Sequence, residues 1–208
     1  MSTETWNKLA KREVYPSGGR LGGRIWDSII PALEAQSYSV FAPTLEDEHT
    51  SNLTRHIGQI CTLITDNDLK DIILVGHSYG GMVITGVAAR MPDRIRRLVY
   101  VDAALPNPGQ SLFDLFASSS RDPMSFEGLE PDAPYVEKLQ VDGRKIQSLP
   151  KTYILCTQSE FAPVTHVAMQ KIAAAREGWT YIEIPSSHVP MASMPERFSQ
   201  LLLEAAEK

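Results

Sequence analysis

Cysteine is scarce in this chain: two residues in 208, Cys61 and Cys156, far apart and in no CxxC pair. That argues against a disulfide-built scaffold, a structural zinc site and a thioredoxin-type centre. Long apolar runs are missing too, none approaching the roughly 20 residues that a membrane-crossing helix needs. The first residues, Met1 to Lys8, lack the apolar stretch of a secretory signal. Positive charge is in the minority, with 20 Lys and Arg against 25 Asp and Glu and a net charge of −5. Without clustered cations to neutralise phosphates, nucleic-acid binding is disfavoured. No repeat, low-complexity tract or charge block appears. The expectation is a soluble, cytoplasmic protein with no nucleic-acid or membrane partner. At 43% hydrophobic residues, residues 1–208 are expected to form one domain with a buried core.

What recurs is a short β-branched run followed by a helical pattern. Tyr38–Phe41, Asp71–Val75, Leu98–Val101, Thr152–Cys156 and Thr180–Ile184 read as strands. Asp71-Ile-Ile-Leu-Val75 is the continuous apolar type expected of a strand covered on both faces. Helical patterns span Gly23 to Ala35, Asn52 to Leu63, Tyr79 to Arg90, His166 to Arg176 and Pro195 to Glu207. Alternation of this kind predicts an α/β fold: a mostly parallel twisted sheet with helices on both faces. Ligands then lie beyond the carboxyl ends of the strands. From Ala103 to Pro150 no strand is predicted, and five prolines punctuate the stretch before Pro150 (106, 108, 123, 131 and 134). A segment that long in a compact domain reads as a lid or cap, inserted at about 104–150. Its Phe113, Phe116, Met124 and Phe126 supply an apolar face that seals the insertion, lines a substrate pocket, or does both.

The strand ending at Val75 runs into Gly76-His-Ser78-Tyr-Gly80-Gly81 and then a helix. This is G-x-S-x-G in the strand–turn–helix context that makes Ser78 a nucleophile. The tight turn lifts the serine Oγ above the sheet and aims the Tyr79 N–H at a developing oxyanion. A phosphate-binding loop is the weaker reading, since the Lys of GxxxxGK[ST] is absent. Of the five histidines, His49 lies in a polar loop, His56 in a helix, His77 inside the turn and His166 at a helix start. His188 differs: it follows the last strand, in Pro185-Ser-Ser-His188-Val-Pro-Met191. Serine early and histidine late is a chain order suited to a nucleophile and its base on such a sheet.

Leu74-Val-Gly-His-Ser-Tyr-Gly-Gly-Met82, Leu98-Val-Tyr-Val-Asp-Ala-Ala-Leu-Pro106 and Ser187-His-Val-Pro-Met191 resemble the α/β-hydrolase superfamily. The nearest branch is the small-cap one of hydroxynitrile lyases, plant methyl esterases and bacterial esterases. The resemblance runs from about Gly22 onward. It implies a sheet of about six strands, nucleophile Ser78, base His188 and the Tyr79 N–H as oxyanion donor. By position it also implies a second donor at Gly19. Gly22-Gly-Arg-Ile-Trp26 matches the family, but Ser17-Gly18 stands where His-Gly is usual. Lys11, Arg12 and Glu13 occupy what should be a buried strand, which is therefore expected to be short, displaced or absent. The family's acid is also missing from its place. Cys156-Thr-Gln-Ser159-Glu160-Phe-Ala-Pro163 carries Ser159 where Asp is usual. Glu160, next to it and one methylene longer, is taken as the acid, with Asp102 as the other candidate.

These residues predict a serine-dependent acyl-transfer enzyme. It would hydrolyse an ester or thioester of a small apolar or aromatic acid through an acyl-Ser78 intermediate. An acyltransferase working from a carrier-bound thioester is one alternative, and a weakened hydrolase-like binding protein another. The resemblance implies that a lyase would need a cap lysine, of which Lys138 is the first. No metal or cofactor is expected. The expected partner is a small-molecule acyl substrate, and the resemblance allows a homodimer.

Overall fold

A computed structural model describes residues 11–14 (as backbone), 22–126, 129–175 and 177–207. In chain order these form β1 (Lys11–Val14), α1 (Ile30–Glu34), β2 (Tyr38–Phe41), α2 (Leu53–Asp66) and β3 (Ile72–His77). Next come α3 (Gly80–Arg90), β4 (Ile95–Val101), α4 (Leu112–Ser118), α5 (Ala133–Val136) and β5 (Lys151–Cys156). The last are α6 (Ala162–Ala174), β6 (Trp179–Ile184), α7 (Pro190–Ser193) and α8 (Pro195–Glu207). The strands make one sheet in the order β2-β1-β3-β4-β5-β6, and every pairing is parallel.

The charged stretch at Lys11 does form a strand. It is the short outcome, four residues held between β2 and β3. At the centre, β3 is buried at all six positions, as its unbroken apolar run requires. The predicted 23–35 helix is split into a 3₁₀ turn at Gly23–Trp26 and the short α1. Conversely, α6 starts a turn earlier than predicted, at Ala162, because Pro163 opens a helix where its missing N–H costs nothing.

Two apolar layers flank the sheet. On one face Leu74, Leu98, Tyr100 and Tyr153 pack under α2, α3, α6 and the chain between β4 and β5. On the other, Ile73, Val75, Val99 and Ile154 meet Trp26, Leu33, Phe198 and Leu201 of the α1 and α8 side. Between β4 and β5 the described residues form α4, α5 and two 3₁₀ turns at Pro123–Ser125 and Gly143–Ile146, with no strand. Phe116 is buried against the body and Met124 is 56% exposed, so the predicted apolar face divides between packing and surface.

No helix among the described residues is long and apolar enough to cross a membrane. Both cysteines are free thiols.

Candidate active site

Strands β3, β4, β5 and β6 end side by side: His77 is in register with Val101, Val101 with Ile154, and Cys156 with Ile184. Each of the first two strands delivers its next residue into the left-handed region, Ser78 at φ 56° and Asp102 at φ 43°. L-residues avoid that region, and such strain gathers where side-chain aim matters. It is held in place by hydrogen bonds. Ser78 N donates to Val101 O at 3.2 Å, Ala104 N to Ser78 O at 2.9 Å and Asp102 N to Ile154 O at 2.8 Å. Two glycines let the turn close. A Cβ on Gly76 would lie 2.6 Å from Gly80 O, and one on Gly81 would lie 2.0 Å from Ala104 O.

The loop after β6 brings His188 over this turn. Its Nε2 lies 2.9 Å from Ser78 Oγ, and its Nδ1 lies 2.6 Å from Asp102 Oδ2. The carboxylate requires a proton on Nδ1, which leaves Nε2 as acceptor for the serine hydroxyl. Asp102 is completely buried and His188 is 7% exposed, while Ser78 is only partly covered. The ring is further fixed from behind. Phe161 lies 4.7 Å from it and Phe126 6.4 Å, centroid to centroid, Phe126 edge-on.

The structure does not bring Glu160, the expected acid, to the His188 ring. Glu160 is exposed, and Asp102 occupies the Nδ1 face. The reason is reach from the sheet: Asp102 follows β4 directly and its backbone is tied to β5. Glu160 lies four residues past the end of β5, on the outer side of a turn. Ser159 sits between them, its hydroxyl donating to Asp102 Oδ2 and its Oγ 3.4 Å from His188 Nδ1. Nothing in the local sequence announces that contact, apart from the position of Ser159 in the pattern where an acid was expected.

The other histidines fall elsewhere. His77 is fully buried, and its Nε2–H donates to the His188 carbonyl at 2.7 Å with the rings 4.6 Å apart. Burial, and then the charge His188 can carry, push its pKa down to about 3, so it is a neutral prop under the base. His56 bridges the Tyr79 hydroxyl at 3.1 Å and the Glu46 carbonyl at 2.9 Å. His49 pairs with Asp132 at the surface, and His166 contacts Gln170. Lys138 lies 3.8 Å from Asp114 and is well exposed. The Tyr79 N–H, at the start of α3, has no backbone acceptor among the described residues. Gly19 lies outside the described residues, as does Ser17-Gly18. No group of three or more metal-ligating side chains occurs among the described residues.

Comparison with known proteins agrees with this geometry. The sequence profile of the Alpha/beta hydrolase family matches residues 16–137. A carbendazim hydrolyzing esterase of Nocardioides sp. (strain SG-4G) is 28% identical over 237 residues, covering 91% of this chain and 97% of its own. A pyrethroid hydrolase of Sphingobium wenxiniae is 25% identical, with 89% and 84% covered. Among solved structures, an extracellular alpha/beta-hydrolase from a Paenibacillus species superposes with a TM-score of 0.76 at 24% identity, covering 94% of this chain and 98% of that one. Polyneuridine aldehyde esterase gives 0.75 at 20%, with 94% and 98% covered. The relatives are esterases and hydrolases, and the Ser78–His188–Asp102 arrangement is that of a serine hydrolase. The profile match spans more than half the chain, and by it the protein belongs to the alpha/beta hydrolase family.

Proposed function

We propose that this protein is a serine esterase for small apolar or aromatic acyl groups, working through an acyl-Ser78 intermediate. The observation that carries the reading is the unbroken contact from Ser78 Oγ through the His188 ring to Asp102, at 2.9 and 2.6 Å. His188 Nε2 takes the hydroxyl proton as Oγ bonds to the ester carbonyl carbon, and it returns that proton to the departing alkoxide. Water then repeats the sequence: its proton goes to Nε2, its oxygen to the acyl carbon, and Ser78 leaves with the proton from His188. Buried Asp102 keeps Nδ1 protonated and offsets the imidazolium charge.

The Tyr79 N–H is the first oxyanion donor in this reading and Gly19 the second. Support for an apolar or aromatic acyl group comes from Phe116 and Phe126. They line, with Ser159 and Pro163, a cavity of about 280 Å³ beside the base. Arg121 and Glu160 add charges to its lining, beside Ser125 and Ala162.

The test pairs labelling with turnover. A fluorophosphonate probe should add to Ser78 of the folded protein, and Ser78→Ala should abolish both the adduct and hydrolysis of p-nitrophenyl butyrate and benzoate. Equal hydrolysis by wild type and Ser78→Ala would remove the covalent mechanism and favour a binding protein.

A further inference from the structure

A larger cavity, of about 450 Å³, plays no part in the proposed reaction. It shares no lining residue with the cavity beside His188. Lys151 and Trp179, the first residues of β5 and β6, stand in its wall, whereas Ser78 and Asp102 follow the opposite, carboxyl ends of their strands. Its volume falls within the roughly 300–1,000 Å³ of small-molecule sites. We infer that this cavity is a binding site, separate from the catalytic one, for a small carboxylate with an apolar body.

The apolar body is argued from the walls. Leu105, Pro106, Pro108, Ile146 and Trp179 all line the cavity. The buried hydroxyls among its lining are already matched. Thr85 Oγ1 donates to Gly81 O at 2.7 Å, so it accepts from the Tyr100 hydroxyl at 2.9 Å. An apolar group placed against them strands no polar atom.

The anionic head is argued from two lysines. Lys171 Nζ donates to Leu105 O at 2.6 Å and Gln110 Oε1 at 2.9 Å, which leaves one of its three protons for the cavity it lines. Lys151 is buried, donates to Gln147 O at 3.0 Å and Leu149 O at 2.8 Å, and stands 5.7 Å from the centre of the Trp179 ring. Neither ammonium is paired with a carboxylate among the described residues. Burial alone pushes both down from the ordinary lysine value, Lys171 to about 8, which keeps it mostly charged at neutral pH. Cations withdrawn from water with no acid partner are costly, and an anion on Lys171 offsets that cost. Glu177, exposed in the lining, balances one of the two positive charges. A single charge is left for the ligand to match, which is the charge of a carboxylate.

The experiment follows the indole N–H resonance of Trp179, assigned with Trp179→Phe, while 3-phenylpropanoate is titrated into the full chain. Its uncharged counterpart, 3-phenylpropanamide, is titrated in parallel. The acid should shift that resonance saturably, and the amide should bind at least about tenfold more weakly. Lys171→Met keeps an apolar stem and should weaken the acid by about tenfold or more while leaving the amide within about threefold. Ala175→Phe, at an exposed lining position, should weaken both by filling the cavity with the two lysines in place. It carries the test if Lys171→Met does not fold. A Trp179 resonance unmoved up to about 10 mM acid, equal affinity for acid and amide, or full affinity in Ala175→Phe overturns the inference. Ser78→Ala should bind the acid as wild type does, so failure of the proposed catalytic reading leaves this result untouched.

Discussion

Replacing Asp102 with Asn separates the acid from every other contributor, because the two side chains have the same shape. The carboxylate accepts from Cys156 N at 3.2 Å, His188 Nδ1 at 2.6 Å and the Ser159 hydroxyl, with no exposed surface. An amide offers one oxygen. In either orientation its NH₂ faces a donor, the Cys156 N–H or the His188 Nδ1–H, so at least one buried group goes unmatched at about 1–3 kcal/mol. In a chain of this size that lowers the melting temperature by about 2–12 °C. The catalytic loss is larger. The imidazole loses its fixed tautomer and the charge opposite it, a change that costs about 10⁴-fold in serine proteases, or roughly 5.5 kcal/mol at 1.36 per decade. Glu160→Gln is the control: an exposed group should change stability by less than about 0.5 kcal/mol and rate only a few-fold. The assay is kcat/KM for p-nitrophenyl butyrate at neutral pH, beside thermal unfolding of both variants. An Asp102→Asn protein within about tenfold of wild type, or one more active than Glu160→Gln, would refute the assignment of the acid.

His77 gives a stability prediction with a definite sign. Its folded pKa of about 3 lies below the ordinary 6.5, so the unfolded chain binds the extra proton between those values. Stability is therefore lost as pH falls through that window, at about 1.4 kcal/mol per pH unit for this one group. Urea unfolding at pH 4, 5 and 7 should show His77→Phe with a slope shallower than wild type by that amount, and equal slopes would count against it. Gly81→Ala should destabilise by about 1–3 kcal/mol or prevent folding, since its Cβ would meet Ala104 O at 2.0 Å. An unchanged melting temperature would contradict that close approach. Phe126→Ala removes an edge-on ring from His188 and contacts with Phe116 and Phe161. A lost aromatic pair of about 0.5–1.5 kcal/mol predicts kcat/KM for p-nitrophenyl benzoate falling about 2- to 12-fold. No fall would exclude Phe126 from the site.

The sequence by itself determined what depends on neighbours along the chain. Apolar runs separated by amphipathic patterns specify parallel strands and crossover helices, and Gly76-His-Ser78-Tyr-Gly80 specifies a strained bend whatever surrounds it. His188 was legible because the last strand ends four residues before it, at Ile184. The acid was not, because two loop ends competed for one ring nitrogen. Which of them wins depends on the adjacency of β4 to β3, the backbone tie of Asp102 to β5 and the left-handed turn at Asp102. None of these leaves a local mark, so Asp102, at the end of an apolar run, could be named as a candidate beside Glu160 but not chosen over it. The tertiary structure alone decided it, by burying one carboxylate against the imidazole and turning the other toward water.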